Sequence, residues 1–186
     1  MTRNPEAPSV LPGDPSAKDQ RARLLRVDHA GEYGAARIYR GQLDVLGASH
    51  PLSATIQHME AQEGRHLATF DNLLREQQVR PTALGPFWHV AGYALGAATA
   101  LMGPKAAMAC TAAVEEVIDD HYSAQIKALG PEDQELTRTL EDFRAEENEH
   151  RQTALDHGAA DTPGYRLLSG AIKTGCRAAI WLSQRV

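Results

Sequence analysis

Apolar residues recur every three or four positions along most of the chain, which is the spacing of one face of an α-helix. The pattern predicts helices over 19–47, 52–79, 87–128, about 130–157 and 163–184. Helix-breaking stretches separate them, at Ser49-His50-Pro51, Arg80–Pro86, Gly130-Pro131 and Thr162-Pro163. Pro163 is predicted to stand in the first turn of the last helix. The sequence therefore predicts an all-α protein.

Two of these segments raise the question of membrane contact. Residues 90–103 carry no charge, but fourteen residues are too few to cross a bilayer, which needs about twenty. The longer segment 87–128 is interrupted at Gly103-Pro104, so we predict a broken helix that packs in the core or dips into a membrane surface, rather than a spanning one. The last helix has one apolar side and a basic remainder with Lys173, Arg177 and Arg185, which fits either an anionic lipid surface or ordinary packing.

Composition narrows the class of protein. The chain has 186 residues, 42% of them hydrophobic, which suits one domain with a sizeable core. A formal net charge of -5 argues against nucleic acid as a partner. Cys110 and Cys176 are the only cysteines and indicate free thiols in a reducing compartment. Residues 1–20 are rich in proline and resemble no targeting peptide, so we predict a disordered tail before one domain over 21–186.

One motif, Glu-x-x-His, occurs twice, at Glu63–His66 and at Glu147–His150. Each copy follows a single glutamate by about thirty residues: Glu32 precedes Glu63 by 31, and Glu115 precedes Glu147 by 32. Positions i and i+3 lie on one face of a helix, so the carboxylate and the imidazole of each copy converge on one point. A glutamate from each of two helices plus Glu-x-x-His from each of two others is the ligand set of ferritin-like two-metal bundles.

The six residues also lie within the apolar stripes of their helices. Glu63 and His66 stand among Ile56, Met59 and Phe70, and the other copy is placed in the same way. Burying a carboxylate without a compensating charge costs free energy. The ordinary alternative is that these are solvated acids on surface helices, but such acids would not be expected in the apolar stripe of both copies. We therefore predict two metal ions, iron or manganese by donor type. The predicted ligands are Glu32, Glu63, His66, Glu115, Glu147 and His150.

Other polar residues have weaker signals. Asp28 and Asp119, each one turn from a predicted ligand, are candidates to orient the histidines, or are ordinary helix acids. Tyr122 is a candidate catalytic residue that bonds a ligand or gates electron transfer, or a packed core tyrosine. His157 is predicted to be a surface histidine. His29, His58 and His121 receive no role.

Several segments resemble one family closely. They are Arg26-Val27-Asp28-His29-Ala30-Gly31-Glu32-Tyr33-Gly34-Ala35, Arg80-Pro81-Thr82, Ala107-Met108-Ala109-Cys110-Thr111, Val114-Glu115-Glu116 and Leu155-Asp156-His157. Together they resemble the demethoxyubiquinone hydroxylase family of ubiquinone biosynthesis, from about residue 21 onward. The acidic stretch Glu116–His121 departs from what the family leads us to expect.

The resemblance implies a ferritin-like di-iron monooxygenase that uses O2 to hydroxylate the ring of 3-demethoxyubiquinol, a polyprenyl benzoquinol. It places two iron ions on the six residues predicted from spacing. No Gly-x-Gly-x-x-Gly fingerprint is present, so electrons would come from a partner, from the quinol, or from NADH at an unidentified site. It also implies a peripheral protein on the cytoplasmic face of a bacterial inner membrane, with other ubiquinone-biosynthesis proteins or a second copy as partners. The alternative is a ferritin-like iron-storage protein or ferroxidase.

Overall fold

The computed structural model describes residues 14–129 and 133–186 and contains six α-helices there. They are α1 (Ala17–Leu46), α2 (Ser53–Glu76), α3 (Gly85–Leu101), α4 (Pro104–Leu129), α5 (Gln134–Asp156) and α6 (Tyr165–Ser183). A 3-10 turn, Ala159–Asp161, precedes α6. The described residues include no strand, which confirms the all-α prediction.

Most helix ends follow the predicted breaks, with two differences. Ser16 caps α1 through a reciprocal hydrogen-bond pair with Asp19, so residues 17–20 are helical rather than part of the predicted tail. Helix α6 begins only at Tyr165, after Gly164 with φ of 72°, so Pro163 precedes the helix and its predicted place in the first turn was wrong. The predicted start at Gly130-Pro131 and the predicted disorder of residues 1–13 lie outside the described residues.

The duplication inferred from the ligand pattern extends to a third helix in each half. Helices α1, α2, α4 and α5 form the four-helix bundle, in which α1 pairs with α2 and α4 pairs with α5. Helix α3 then packs along α1, and α6 packs along α4. The chain is thus two successive three-helix units, and the predicted break at Gly103-Pro104 is the junction between them, with Gly103 at φ of 119°.

Small residues let α3 approach the backbone of α1. A Cβ atom added to Gly96 would lie 1.9 Å from the carbonyl oxygen of Ile38, and one added to Gly41 would lie 2.3 Å from the carbonyl oxygen of Tyr93. Real atoms do not approach so closely, so any side chain at either position would push the helices apart. This crossing fixes α3 against the bundle.

The bundle core consists of two apolar clusters with a polar layer between them. One cluster gathers residues such as Met59, Met108 and Ala154, and the other gathers Leu25, Phe70, Tyr122 and Leu140. Each bundle helix contributes to both clusters, and its predicted ligand falls between its two contributions. On α2, for example, Glu63 and His66 lie between Met59 and Phe70.

The outer helices carry exposed apolar side chains. In the part of the chain that the structure describes, no helix is both long enough and apolar enough to cross a membrane. The large hydrophobic side chains that stand in solvent all lie on α3 and α6 or within three residues of their ends. They are Phe87, Val90, Leu101, Met102, Leu167, Trp181, Leu182 and Val186.

Candidate metal centre

The structure brings all six predicted residues together in the middle of the bundle. Each is at most 2% exposed, although all six, four glutamates and two histidines, are ionisable residues that are seldom fully buried. They fall into two overlapping groups, and within each group one ligand atom per residue lies within 4.8 Å of the others. The first group is Glu32, Glu63, His66 and Glu147, and the second is Glu63, Glu115, Glu147 and His150.

The overlap shows which carboxylates could be shared. Glu63 and Glu147, the glutamates of the two Glu-x-x-His motifs, belong to both groups. Glu32 and Glu115, the single glutamates, each belong to one. The sequence pattern leaves open whether the single glutamates complete or bridge a site. In this arrangement the motif glutamates are the ones that two metal ions could share.

Two buried tyrosines hold the single glutamates, each from the opposite half of the chain. The Tyr39 hydroxyl on α1 donates to Glu115 Oε1 on α4 at 2.6 Å. The Tyr122 hydroxyl on α4 donates to Glu32 Oε1 on α1. Tyr122 therefore bonds a predicted ligand, as one of the two interpretations of its position required. A catalytic role for it stays a prediction.

The carboxylates have more oxygens than protein donors can serve. Glu63 Oε2 and Glu115 Oε2 are buried without a hydrogen-bond partner among the described residues, and the only donors near Glu63 Oε1 and Glu147 Oε1 are histidine Nδ1 atoms, at 3.3 and 3.1 Å. Burial raises the pKa of Glu63 and Glu115 well above the usual value, and neighbouring carboxylates, Glu147 first, raise it further. Unpaired buried charge costs several kcal/mol per group as an order of magnitude, so this cluster fits divalent cations well.

The imidazoles offset part of this charge. Burial acts to lower the pKa of His66, but hydrogen bonds and charges of Glu147 and Glu32 outweigh it and raise the pKa to about 10. Burial acts to raise the pKa of Glu147, and the two histidines outweigh it and lower that pKa to about 2. Two histidines can offset at most two of the four acids, and because the pKa of His66 is raised, binding a metal there would require His66 to release its extra proton.

The outer nitrogen of each histidine has a partner that the sequence analysis missed. Nδ1 of His66 faces Glu32 and Glu147, at 3.2 and 3.1 Å, while its Nε2 lies 3.1 Å from Glu146 Oε2. Nε2 of His150 lies 3.0 Å from Gln62 Oε1. An oxygen acceptor at Nε2 fixes the proton there and leaves Nδ1 free to bind a metal.

A sequence signal for these partners did exist. Gln62 and Glu146 each stand immediately before the glutamate of a Glu-x-x-His motif. Of the two interpretations given for Asp28 and Asp119, the one in which they orient the histidines of the cluster does not hold: Asp28 accepts from Gln125 at 2.6 Å and lies 3.1 Å from His121, and neither of those is a predicted ligand. Asp119 accepts from Arg144 and Asn148 at the surface of α5.

Several of the remaining histidines and acids have structural partners. His157 is exposed, as predicted, with Nδ1 2.8 Å from the carbonyl oxygen of Thr153. His29 lies 3.1 Å from Asp71. The acidic stretch after Glu115 is used to fasten helices: Glu116 accepts from Lys173 of α6 at 2.5 Å and from Arg151 of α5 at 3.2 Å.

An apolar cavity of about 500 Å³ lies between the bundle and the two outer helices. Its wall is formed by α1, α3, α4 and α6 and contains Gly31 and Val114, the sequence neighbours of Glu32 and Glu115. It also contains Gly175, which is exposed, so the cavity reaches the surface along α6. An apolar cavity of this volume is in the range that holds a small organic molecule.

Fold and site together define a ferritin-like bundle with a buried carboxylate and imidazole centre. The family within that class follows from comparison: residues 19–183 match the family described as "Ubiquinone biosynthesis protein COQ7". The chain belongs to this family, which confirms the resemblance stated from the motifs.

Curated relatives agree along nearly the whole chain. A "3-demethoxyubiquinol 3-hydroxylase" of Rhodospirillum rubrum is 56% identical over 176 residues, covering 95% of this chain and 83% of the relative. A mouse protein, "NADPH-dependent 3-demethoxyubiquinone 3-hydroxylase, mitochondrial", is 53% identical over 88% of this chain and 76% of its own length. A yeast "5-demethoxyubiquinone hydroxylase, mitochondrial" is 40% identical over 99% and 88%.

These names bear out the predicted class of enzyme, a hydroxylase of ubiquinone biosynthesis. None of them favours the iron-storage alternative. The similarity to a bacterial relative supports a bacterial origin for the chain.

Proposed function

We propose that this protein is a di-iron monooxygenase that hydroxylates the ring of 3-demethoxyubiquinol in ubiquinone biosynthesis. The observation that carries the proposal is the position of the carboxylate cluster. The six buried acid and imidazole groups include Glu32 on α1 and Glu115 on α4, and the residues next to these two in sequence, Gly31 and Val114, line the apolar cavity. The names of the family and of the relatives support the substrate.

The six residues would hold two iron ions, four of them contacting one ion each and two contacting both. Glu32 and His66 would bind one, Glu115 and His150 the other, and Glu63 and Glu147 would bridge them. Bound iron supplies the reduction of dioxygen, which protein side chains cannot perform. In the overall reaction a ring C–H becomes C–OH and the second oxygen atom leaves as water, which requires two external electrons and two protons.

The chain's own groups would position these ligands and keep water out. The hydroxyls of Tyr39 and Tyr122 occupy one oxygen each of Glu115 and Glu32, so each glutamate offers its other oxygen to a metal. Apolar clusters seal the layer from both ends of the bundle. Keeping water out of this layer would suppress side reactions of the bound group.

The cavity suits a polyprenyl quinol because its lining is almost entirely apolar. Small residues such as Gly31, Gly34 and Ala35 on α1 face Ile172 and Gly175 on α6 across it. Their small volume leaves room for a flat ring and the first isoprene units. Burial of isoprene carbon against such a wall contributes about 25 cal/mol per Å².

A membrane surface is the natural source of such a substrate. The hydrogen bond from Trp88 Nε1 to Ser183 Oγ, 3.0 Å long, joins the beginning of α3 to the end of α6. The exposed side chains of Phe87 and Leu182 are the sequence neighbours of this pair. We infer that this end of the two helices contacts the cytoplasmic leaflet of the bacterial inner membrane as a peripheral protein.

The electron source is proposed from the name of a relative. The mouse relative is described as NADPH-dependent, and NADH is one of the three electron sources that the sequence leaves open, beside a partner protein and the quinol itself. Either nucleotide, or a reductase partner, would deliver the two electrons that the reaction needs. Other proteins of ubiquinone biosynthesis are the expected partners for substrate delivery.

The direct test is a hydroxylation assay on the purified protein. The protein is loaded anaerobically with Fe²⁺, its iron content is measured, and a short-chain 3-demethoxyubiquinol is added with NADH or NADPH and ¹⁸O₂. The expected result is two iron ions per chain and a quinol product heavier by one ¹⁸O atom. Iron that accumulates as ferric mineral without any hydroxylated quinol would contradict the proposal.

A further inference from the structure

The two halves of the site match residue by residue with few exceptions. Each half supplies a tyrosine to the other half's single glutamate, and each supplies a glutamine that reaches across in the same way. Gln42 donates to Thr111 Oγ1 at 3.3 Å, and Gln125, at the corresponding place in the second half, donates to Asp28 Oδ1 at 2.6 Å. Corresponding positions of the two halves can therefore be compared directly, and a difference between them is easy to recognise because their surroundings match.

The first departure is at the outer nitrogens of the histidines. His66 faces the carboxylate of Glu146, whereas His150 faces the amide oxygen of Gln62. Gln62 and Glu146 occupy corresponding positions in the repeat, and each serves the histidine of the opposite half. The Gln62 amide nitrogen donates to Glu146 Oε2 at 2.8 Å, which turns its oxygen towards His150.

The second departure lies one turn before each single glutamate. Asp28 stands four residues before Glu32, and Thr111 stands four residues before Glu115. Both side chains are buried, at 2% and 1% exposure, and each receives the matched glutamine of the other half. An acid again occurs on the side of Glu32 and His66, where the other side has a neutral group.

From these two departures we propose that the two metal positions are not equivalent, and that the position formed by Glu32 and His66 binds a divalent cation more tightly and fills first. Glu146 and Gln62 are then positioning residues that set the difference by acting through His66 and His150. This inference rests on the proposed metal site.

The physical cause is the charge behind each imidazole. A carboxylate that accepts the Nε2 proton makes Nδ1 a stronger donor to a metal than an amide oxygen does, and losing such an outer partner typically costs about 10–100-fold in metal affinity. Arg65 pairs with Glu146 at 2.9 Å, but its side chain is 60% exposed, so solvent screens much of its opposing charge.

The test is an anaerobic titration of the intact chain with Fe²⁺, in which calorimetry measures each binding step. Wild type is expected to bind two ions in two steps. His66→Ala should abolish the tight step, whereas His150→Ala should remove the weak step and leave the tight one. Glu146→Gln should weaken the tight step 10–100-fold and leave the weak step within about twofold. Glu149→Gln, the same change at an exposed position of α5, is the matched control and should alter neither.

Exchanging the carboxylate and the amide between the two positions tests the inference without changing the net charge of the protein. Gln62→Glu combined with Glu146→Gln moves the carboxylate from His66 to His150 and is expected to narrow the gap between the two steps at least tenfold. Thermal melting of each metal-free variant verifies that it folds. Two equal steps in wild type, or a gap unchanged by the swap in folded protein, would overturn the inference. A wild-type chain that binds no Fe²⁺ would instead overturn the proposed metal site.

Discussion

The interior of the four-helix bundle and the flank formed by α3 and α6 reverse the usual placement of polar and apolar groups. The bundle interior buries four glutamates and two histidines, all nearly without solvent contact. The flank exposes Phe87 and Leu167 to solvent, at 60% and 82%, and encloses an apolar cavity. Each region is unfavourable alone, and we propose that a different ligand relieves each one: cations inside the bundle, and lipid or quinol at the flank.

The largest effect is expected from a change in the bundle interior, the removal of a glutamate that belongs to both groups of the cluster. Glu147→Ala deletes a carboxylate that belongs to both groups of the cluster, so both ions should be lost or weakly held. Activity should fall about 1,000-fold or more, since loss of an outer partner alone costs about 10–100-fold. Glu149→Ala, exposed on the same helix, is the control. Metal analysis and the hydroxylation assay measure both; full iron and full activity in Glu147→Ala would contradict the ligand set.

The second prediction concerns the metal-free interior and its response to pH. Because the folded pKa values of Glu63 and Glu115 are raised by burial, ionising them destabilises the folded state. Their contribution to stability is present below the unfolded value of 4.5 and is lost as pH rises towards neutrality. The pKa of His66 is also raised in the folded state, so its contribution to stability is likewise lost as pH rises above the unfolded value of 6.5.

Metal-free protein should therefore lose stability between pH 5 and pH 8 as an approximate window, by about 1.4 kcal/mol per pH unit for each group that stays protonated only when folded. Chemical denaturation at several pH values measures this. Metal-loaded protein should show a smaller slope, and equal slopes with and without metal would break the proposed pairing of acids with cations.

The third prediction tests how the flank is attached to the bundle. Gly96→Leu would force a side chain into the carbonyl of Ile38, so α3 should move away from α1 and the free energy of unfolding should fall by about 3 kcal/mol. Gly64→Ala is the control, since nothing lies within 4 Å of an added Cβ there, and it should stabilise α2 by about 0.5–1 kcal/mol. Denaturant titration distinguishes the two. A tolerated Gly96→Leu would contradict the close crossing.

The fourth prediction tests lipid contact at the flank. Replacing Phe87 and Trp181 by serine removes two exposed aromatic groups and should weaken binding to anionic vesicles about 10–100-fold, while iron content stays unchanged. Vesicle flotation measures the bound fraction. Unaltered binding would show that these two side chains do not face lipid.

The smallest expected effect concerns the cavity entrance. Gly175→Leu places a side chain at the cavity wall and should raise KM for the quinol about tenfold, with iron content unchanged. Gly170→Leu, on the same helix and equally open but outside the cavity lining, should leave KM near wild type. Steady-state kinetics of both variants measures KM for the quinol. Equal KM values would contradict binding of the quinol in the cavity.

The clustering of the six residues could be predicted from the sequence because its signal is local. An i, i+3 pair within an apolar stripe fixes its direction regardless of how the helices are arranged. Residues 85–104 could likewise be recognised as a helix and a break, because Gly103 and Pro104 act on their own backbone.

The outer partners could not be found in the same way. Asp28 and Asp119 were chosen because they lie one turn from a ligand on the same helix, yet contact with a histidine depends on which helix lies opposite. Gln62 and Glu146 reach across from α2 and α5, and only the packing of these helices places each at the other's histidine. The cavity also depends on the positions of α3 and α6, which no periodicity determines.

The central claim is that the buried acids and imidazoles hold two metal ions, and anomalous X-ray scattering from iron-loaded crystals tests it most directly. The account predicts two iron peaks about 3.5–4 Å apart, as in other two-metal sites. One should lie beside Glu32 and His66 and the other beside Glu115 and His150, with Glu63 and Glu147 between them. Iron-loaded crystals with no peak among these residues, or with iron only at the protein surface, would contradict it.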